Sequence, residues 1–232
     1  MNDKHALVLL SGGQDSTTCL YWALTRYEKV TALSINYGQR HKVEIDSAKI
    51  IADNAGVEHE SLDLPNLLKG TSPLVSDNPV GQYDNAEALP GGIEPTFVPG
   101  RNALFLVIAA NRAVVLGAKH LITGVCEEDY GGYPDCRRVF IDSMETSLGL
   151  AMTGDENLLE IHTPLMRLDK EATVQMAKDS PGCWEALAYT HTCYNGMVPP
   201  CGKCHACILR QRGFDMAGEI DPLIQRVGAG VR

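Results

Sequence analysis

The chain has 232 residues, of which 44% are hydrophobic and 21% are charged, and its formal net charge is −9. This length suits one large domain, or one domain with a small appendage. The net negative charge disfavours a protein that binds a nucleic-acid backbone, because such proteins present basic surfaces. No apolar run reaches the roughly 18 residues of a membrane-spanning helix, and the start of the chain leaves no room for a signal peptide. We therefore expect a cytoplasmic protein.

The first predicted element is a strand of apolar residues at positions 6–10, followed by a polar, glycine-containing turn. A continuous apolar run is typical of a parallel strand that is buried on both faces. Gly12 and Gly13 allow a tight turn and close approach of a ligand, and Ser16 is a suitable N-cap for the next helix. Amides at such a helix start bind phosphate groups. Asp15 would repel phosphates unless a divalent cation lies between them. An ordinary strand–helix turn is the alternative.

Strands and helices alternate along the rest of the chain. The predicted strands cover residues 30–35, 57–62, 120–124 and 158–161, and the predicted helices cover residues 41–55, 102–116, 138–150 and 169–178. Asn102 is the predicted cap of the second of these helices, and Gly117 ends it. The alternation predicts a right-handed parallel arrangement. In such a sheet, ligands bind outside the carboxyl ends of the strands, where the glycine-containing turn would lie.

Residues 71–100 interrupt this alternation, because prolines and glycines recur without periodicity. A loop of this length is usually functional or mobile, and we expect much of it to be poorly ordered without substrate. A dispensable insertion is the alternative.

Residues 125–137 combine acids, aromatic residues and an arginine after a predicted strand. Such a loop can stack a flat heterocycle and hydrogen-bond its edges, although a solvated acidic turn is equally compatible with this composition.

Two basic residues lie at predicted helix starts, where the helix dipole disfavours cations. Arg101 begins one helix, and Lys170 lies in the first turn of another. Each side chain is therefore either solvated or held by an anion.

Four cysteines near the end of the chain, Cys193, Cys201, Cys204 and Cys207, have the spacing C-x7-C-x2-C-x2-C. Four thiolates without an open position are the ligands of a structural Zn2+ site. An iron–sulfur cluster is the alternative, although the ferredoxin ending C-x3-C-P is absent. A redox dithiol would leave two of the four unexplained. The remaining cysteines, Cys19, Cys126, Cys136 and Cys183, are expected to be buried or incidental.

The sequence SGGQDS at residues 11–16 resembles the SGGxDS pyrophosphate loop of the N-type ATP pyrophosphatases, which activate substrates as adenylates. With YPDCR at residues 133–137, the four cysteines, and Gly213 and Phe214, the chain resembles the 7-cyano-7-deazaguanine synthase (QueC) family up to about residue 220. That family often carries serine where this chain has Gly131. The resemblance implies an α/β fold, a parallel sheet with helices on both faces that is adenine nucleotide alpha hydrolase-like and Rossmann-like, with a small C-terminal zinc-binding segment.

The resemblance also implies a domain division and a reaction. A nucleotide-binding domain would cover residues 1–180, a helical zinc-binding segment residues 181–220, and a tail residues 221–232. The implied enzyme is an ATP-dependent carbon–nitrogen ligase that converts 7-carboxy-7-deazaguanine and ammonia to 7-cyano-7-deazaguanine, for queuosine and related 7-deazapurines of tRNA. We expect free ammonia as the nitrogen source, a homodimer, and no direct contact with nucleic acid or membrane.

The site residues follow from the same resemblance and from the chemistry of the side chains. The predicted catalytic residues are Asp15 and Lys170. The predicted ATP-binding residues, with Mg2+ held by Asp15, are Leu10, Ser11, Gly12, Gly13, Gln14, Asp15, Ser16, Thr17 and Arg101. The predicted substrate-binding residues are Tyr130, Tyr133, Asp135 and Arg137. The predicted zinc ligands are Cys193, Cys201, Cys204 and Cys207.

Two other functions remain compatible with the sequence. A tRNA thiolation or lysidine-type ligase would use the same adenylation on a nucleobase, and the acidic balance disfavours it. A non-enzymatic zinc-ribbon protein would use the loop only to sense ATP. Pyrophosphate release that depends on 7-carboxy-7-deazaguanine would separate the synthase from both.

Overall fold

The computed structural model describes residues 1–39, 43–65, 67–127 and 132–229. The described residues form a five-stranded sheet of order β3-β2-β1-β4-β5, in which all neighbouring strands are parallel. The strands are β1 (Asn2–Leu9), β2 (Lys29–Asn36), β3 (Glu58–Asp63), β4 (Ala118–Ile122) and β5 (Glu160–His162). The helices are α1 (Gln14–Leu24), α2 (Val43–Ala55), α3 (Arg101–Leu116), α4 (Arg138–Thr153), α5 (Lys170–Asp179), α6 (Cys183–Leu187), α7 (His205–Met216) and α8 (Pro222–Ala229). Short 3-10 turns cover Ala86–Ala88 and Pro134–Cys136.

The central strand β1 is buried on both faces, as its apolar run predicts. Ala6 and Val8 pack into a core with residues of α1, α2, α5, α6 and α7. Leu7 points to the other face and packs into a second core with residues of α3 and α4. The predicted fold class is therefore confirmed: a parallel sheet with helices on both faces and a four-cysteine segment near the C-terminal end.

Two predicted helix caps are wrong. Helix α1 begins at Gln14 with Gly13 as its N-cap, and the Ser16 hydroxyl donates back to the Gly13 carbonyl at 3.2 Å. Helix α3 begins one residue before Asn102, because Gly100 takes the N-cap position with φ of 75°. In both helices the cap residue is a glycine without a side chain, so the acceptors for the first amides have to come from elsewhere.

The long segment at residues 71–100 is irregular apart from the turn Ala86–Ala88. The Tyr83 amide donates to the Lys203 carbonyl at 2.8 Å, and this bond attaches the segment to the cysteine-rich part of the chain. Its order in the absence of substrate remains a prediction. The predicted helix at residues 41–55 is observed as α2, but its predicted first residue, His41, lies outside the described residues.

The C-terminal end contains a buried ion pair within the predicted tail. Arg210 Nε donates to Asp221 Oδ2 at 2.6 Å, and the two side chains are only 4% and 5% exposed. Leu223 in α8 is buried as well. The domain boundaries at residues 180 and 220 remain predictions. Among the described residues, none of the helices combines the length and apolar character that crossing a membrane requires.

Candidate active site

The glycine-containing loop lies at the carboxyl end of β1, the central strand of the sheet. Gly12 has φ of 84°, and a Cβ at this position would lie 2.2 Å from the carbonyl oxygen of Glu44. The backbone of α2 therefore leaves no space for a side chain here. Ser16 Oγ accepts from the Ser11 amide at 3.1 Å and lies 3.0 Å from Ser11 Oγ, so it holds the loop closed. Since Gly13 provides no side-chain acceptor, the first amides of α1 remain available for an anion.

Asp15 and Lys170, which are 155 residues apart in the chain, form an ion pair beside this loop. Lys170 Nζ donates to Asp15 Oδ2 at 2.9 Å, and the side chains are 15% and 31% exposed. Lys170 is thus held by an anion at the start of α5, one of the two outcomes that its position predicts. Asp15 Oδ1 is buried and has no hydrogen-bond partner among the described residues. Buried carboxylate oxygens are normally paired, so this oxygen fits an incoming cation or donor.

Two glycines make this contact sterically possible. A Cβ on Gly124 would lie 3.1 Å from the carbonyl carbon of Asp15, and a Cβ on Gly213 would lie 2.8 Å from Cβ of Lys170. Helix α7 therefore approaches Lys170 more closely than a side chain at Gly213 would allow, and the segment after β4 makes a tight contact with the Asp15 backbone.

A cavity of about 320 Å³ opens beside the loop, which is within the range of roughly 300–1,000 Å³ for small-molecule sites. The predicted site residues that line it are Leu10, Ser11, Gly13, Gln14, Asp15, Ser16, Arg101, Tyr133, Arg137 and Lys170. The side chains of Thr17 and Asp135 are buried, and these two residues and Gly12 are not among the lining residues. Tyr130 lies outside the described residues.

Arg101, at the first residue of α3, forms part of the cavity wall together with Tyr37 and Glu44. Burial raises the pKa of Glu44 to about 7, and the positive charge of Arg101 opposes this rise. Burial likewise raises the pKa of Tyr37, again against the effect of Arg101. The ionised Glu44 carboxylate is therefore an anion close to Arg101, and the pair can change its net charge near neutral pH.

Tyr133 connects the cavity to the long irregular segment at residues 71–100. Its hydroxyl lies 2.7 Å from Thr96 Oγ1, and its ring centroid lies 5.2 Å from that of Phe97. The buried Glu94 accepts hydrogen bonds from the amide and the hydroxyl of Thr96 at 2.9 and 2.6 Å. Burial raises the pKa of Tyr133 to about 12, so the hydroxyl stays protonated and able to donate.

Asp135 provides the acceptor that Gly100 cannot provide for α3. Its Oδ2 accepts from the Asn102 amide at 3.2 Å, and the Asn102 side chain donates to the Asp135 carbonyl at 3.3 Å. Burial raises the pKa of Asp135, while the bonds from Asn102 and the charge of Arg101 act in the opposite direction. A role for Asp135 at the substrate remains a prediction.

The four predicted cysteine ligands form one cluster, in which all sulfur atoms lie within 4.8 Å of one another. Cys201 Sγ lies 3.9 Å from Cys207 Sγ, close to the roughly 3.8 Å between sulfurs of a tetrahedral site with 2.3 Å bonds. The backbone amide of Cys201 donates to Cys193 Sγ, and that of Cys204 donates to Cys201 Sγ, both at 3.4 Å. Hydrogen bonds from the Cys204 and Cys207 thiols lower the pKa of Cys193. The cluster is able to bind a metal ion.

The other cysteines, Cys19, Cys126, Cys136 and Cys183, are buried or half-buried, as expected.

Sequence reasoning missed several residues of this site. Glu44 and Tyr37 carry no local signal, since acids are common in a first helical turn and aromatic residues are common in loops. His205 lines the cavity, and its Nε2 is buried without a partner among the described residues. Gly213, which the family resemblance already included, also carried a local signal, because a glycine inside a helix costs about 1 kcal/mol relative to alanine.

Known proteins resemble this chain along nearly its whole length. A sequence profile described as "QueC: Queuosine biosynthesis protein QueC" matches residues 5–218. A 7-cyano-7-deazaguanine synthase from Gloeobacter violaceus is 54% identical over 223 residues, which are 95% of each chain. One from Laribacter hongkongensis is 48% identical over 231 residues, covering 98% of this chain and 97% of the relative. A solved structure, the predicted subunit of a tRNA methyltransferase from Methanocaldococcus jannaschii, is 18% identical with a TM-score of 0.48, covering 75% of this chain and 74% of that one. On the family profile and these relatives, the chain belongs to the QueC family of queuosine biosynthesis proteins.

Proposed function

We propose that this chain is a 7-cyano-7-deazaguanine synthase, an ATP-dependent ligase that uses 7-carboxy-7-deazaguanine and ammonia. The proposal rests on one cavity, found in a chain of the QueC family. That cavity is lined by the SGGQDS loop, the Asp15–Lys170 pair, Tyr133 and Arg137. It therefore combines a phosphate-binding loop with cationic and aromatic groups suited to a flat, carboxylated heterocycle.

The chemistry explains why such an enzyme needs ATP twice. A carboxylate is a poor electrophile, so its oxygen first attacks the α-phosphorus of ATP and pyrophosphate leaves. Ammonia then attacks the carbonyl carbon of the adenylate, and AMP leaves to give the amide. The amide oxygen attacks a second ATP in the same way, and loss of AMP with the remaining N–H protons gives the nitrile. The protein contributes mainly positioning and stabilisation of charge.

We assign roles to the residues of the cavity on this basis. The amides of residues 11–16 bind the departing pyrophosphate. Lys170 and Arg101 neutralise negative charge that develops during adenylation. Arg137 pairs with the substrate carboxylate, for which a guanidinium offers two parallel hydrogen bonds. Tyr133 is the proposed contact to the deazaguanine ring. Asp135, which is not among the lining residues, and Tyr130, which lies outside the described residues, are proposed contacts to the ring and its amino edge on the resemblance and their chemistry alone.

Two metal ions belong to the proposal. Zn2+ would be held by Cys193, Cys201, Cys204 and Cys207, and its binding free energy would contribute to folding of the C-terminal segment. Mg2+ would accompany ATP at Asp15, whose unpaired Oδ1 fits a cation, and it would supply charge neutralisation at the pyrophosphate. A homodimer and a cytoplasmic location are likewise proposals.

The test is detection of the nitrile by mass spectrometry after incubation of the purified protein with 7-carboxy-7-deazaguanine, ATP, magnesium and ammonium. Pyrophosphate release should depend on the deazapurine, and release that depends on tRNA instead would contradict the proposal. Asp15→Ala should abolish ATP consumption with the fold intact. Asp142→Ala is the matched control, because this carboxylate is 61% exposed and pairs with Arg138 on α4. Full turnover by Asp15→Ala would contradict the assignment of residues 11–16 as the pyrophosphate-binding loop.

A further inference from the structure

A second group of metal-ligating side chains lies on strands β4 and β5, separate from the cavity and from the four cysteines. His120 belongs to β4, and Glu160 and His162 belong to β5. The strand register pairs His120 with Glu160 and Ile122 with His162. Since side chains two residues apart on a strand share a face, all three project toward the side of the sheet that α1 covers. One potential ligand atom from each lies within 4.8 Å of the other two.

The three atoms form a triangle of the size that a metal ion requires. His120 Nδ1 lies 2.9 Å from His162 Nε2 and 3.4 Å from Glu160 Oε2, and His162 Nε2 lies 3.7 Å from the same oxygen. A triangle with these edges has a point about 2.0 Å from all three corners, which is the length of a Zn–N or Zn–O bond. An ion slightly above this plane would be bound by three protein atoms with a fourth position open.

The surroundings of the triangle orient the ligands. His120 Nε2 lies 3.0 Å from the Asp3 carbonyl oxygen, which can only accept, so this nitrogen carries the proton and Nδ1 presents its lone pair. A carbonyl behind a histidine in this way is the usual support of a metal ligand. In the metal-free arrangement His162 Nε2–H donates to that lone pair. Metal binding would move this proton to His162 Nδ1, and no other atom would have to change its protonation.

Aromatic rings and charges complete the environment. The Tyr27 ring centroid lies 4.7 Å from that of His120, and the Trp22 centroid lies 6.1 Å from that of His162. The last turn of α1 and the residues directly after it therefore cover the apolar side. Lys119 Nζ lies 2.8 Å from Glu160 Oε1, the carboxylate oxygen that is not part of the triangle, and 3.1 Å from Asp3 Oδ1. Arg138, whose positive charge also acts on His162, is itself paired with the Asp142 carboxylate at 2.6 Å. The carboxylates of Asp3 and Glu160 outnumber the Lys119 ammonium between them, and this balance favours a cation.

We propose that His120, Glu160 and His162 form a binding site for a divalent transition-metal ion, Zn2+ in the first place. Two imidazoles and one carboxylate are ligands that suit zinc and its neighbours rather than Mg2+ or Ca2+. The ion would join β4 to the three-residue edge strand β5 and so stabilise that edge. The site lies toward the C-terminal end of α1, a helix of 11 residues and therefore about 16 Å long, with the SGGQDS loop at its other end.

The experiment is a Zn2+ titration of the purified protein that retains its tightly bound metal, with equilibrium dialysis and elemental analysis. The wild type should bind one further equivalent, and His162→Gln should weaken this binding at least tenfold. Glu160→Gln is the second variant should His162→Gln fail to fold, which circular dichroism reports. His59→Gln is the matched control, because His59 is a half-buried histidine on the opposite edge of the sheet, 2.8 Å from Ser34 Oγ.

Cobalt distinguishes this site from the cysteines. One equivalent of Co2+ added to the same protein should give visible d–d bands without the thiolate-to-cobalt charge-transfer band of a sulfur site, and His162→Gln should remove these bands. A wild type that binds no further equivalent would overturn the proposal. So would equal binding by His162→Gln or Glu160→Gln, or a cobalt spectrum dominated by thiolate charge transfer.

Discussion

Gly12→Ala is expected to destabilise the protein and to displace the SGGQDS loop at residues 11–16, although it adds only one methyl group. The added Cβ would lie 2.2 Å from the Glu44 carbonyl oxygen and 2.8 Å from the Ala48 nitrogen. Real Cβ atoms essentially never lie within 3.0 Å of such atoms, and both belong to the backbone of α2. The clash therefore cannot be relieved by rotating a side chain. The loop and the helix have to separate by about 1 Å to restore normal contact distances.

The expected loss of stability in Gly12→Ala has two sources. Overpacking of this kind costs about 1–3 kcal/mol, and a non-glycine residue in the left-handed region costs about 1–2 kcal/mol more. Together, about 2–5 kcal/mol should be lost from a total stability of about 5–15 kcal/mol. A displacement of about 1 Å in a catalytic loop lowers turnover on the order of a hundredfold. We expect both effects in the same variant.

Gly13→Ala is the matched control for stability. Gly13 has φ of −82°, and its Cβ would lie 3.4 Å from Ser11 Oγ and 3.6 Å from the His191 carbonyl oxygen. These are ordinary contacts, so its stability should stay within about 1 kcal/mol of the wild type. Urea unfolding of both variants, followed by circular dichroism, measures the difference. If Gly12→Ala unfolds at the same urea concentration as Gly13→Ala, the close approach of α2 to the loop is not the reason for a glycine there.

Three further outcomes are expected. Arg137→Ala should raise the KM for 7-carboxy-7-deazaguanine at least tenfold, and an unchanged value would discard the proposed carboxylate contact. Burial raises the pKa of Glu44 from 4.5 to about 7, so between these pH values the folded protein holds a proton that the unfolded chain releases, and the free energy of unfolding falls as pH rises. Relative to the wild type, Glu44→Gln should therefore gain at most about 3 kcal/mol in stability between about pH 5 and about pH 8. Urea unfolding of both proteins at the two pH values tests this. A difference in unfolding free energy between the two proteins that does not change with pH would contradict it. Arg210→Met removes the guanidinium that pairs with the buried Asp221 carboxylate and should cost about 3–5 kcal/mol in thermal or urea unfolding. Adding Asp221→Leu should restore part of that loss, because the Leu223 amide then loses its acceptor. A double variant as unstable as the single one would refute the explanation.

Much of the fold could be predicted from local patterns. The apolar run at residues 6–10 indicates a strand buried on both faces, and β1 is that strand. Gly117 ends α3 with φ of 71°, as its position after an apolar helix predicts. The spacing of the four cysteines predicts their convergence, which the structure confirms. These features depend on residues a few positions apart, whose geometry the periods of helix and strand already define.

The caps and the cavity wall could not be predicted in this way. Ser16 is a good N-cap residue by type, yet Gly13 takes the position because the serine hydroxyl instead holds the amide of Ser11. Asn102 has the same preference, yet Asp135, which is 33 residues away, provides the acceptor at the start of α3. Such contacts join segments that only the packing of helices on the sheet brings together, and local sequence patterns contain no information about them.

The chemistry of the candidate site likewise depends partly on the sequence and partly on the tertiary structure. The sequence alone determined which groups are present: an SGGQDS loop, two cations at helix starts and four cysteines. The tertiary structure decided which of them meet. Lys170 reaches Asp15 because Gly213 lets α7 pack against the start of α5, and Glu44 lies near Arg101 because Gly12 admits α2. The charge of each group is a property of its residue type, whereas its partner and its pKa depend on burial and distance, which exist only once the chain has folded.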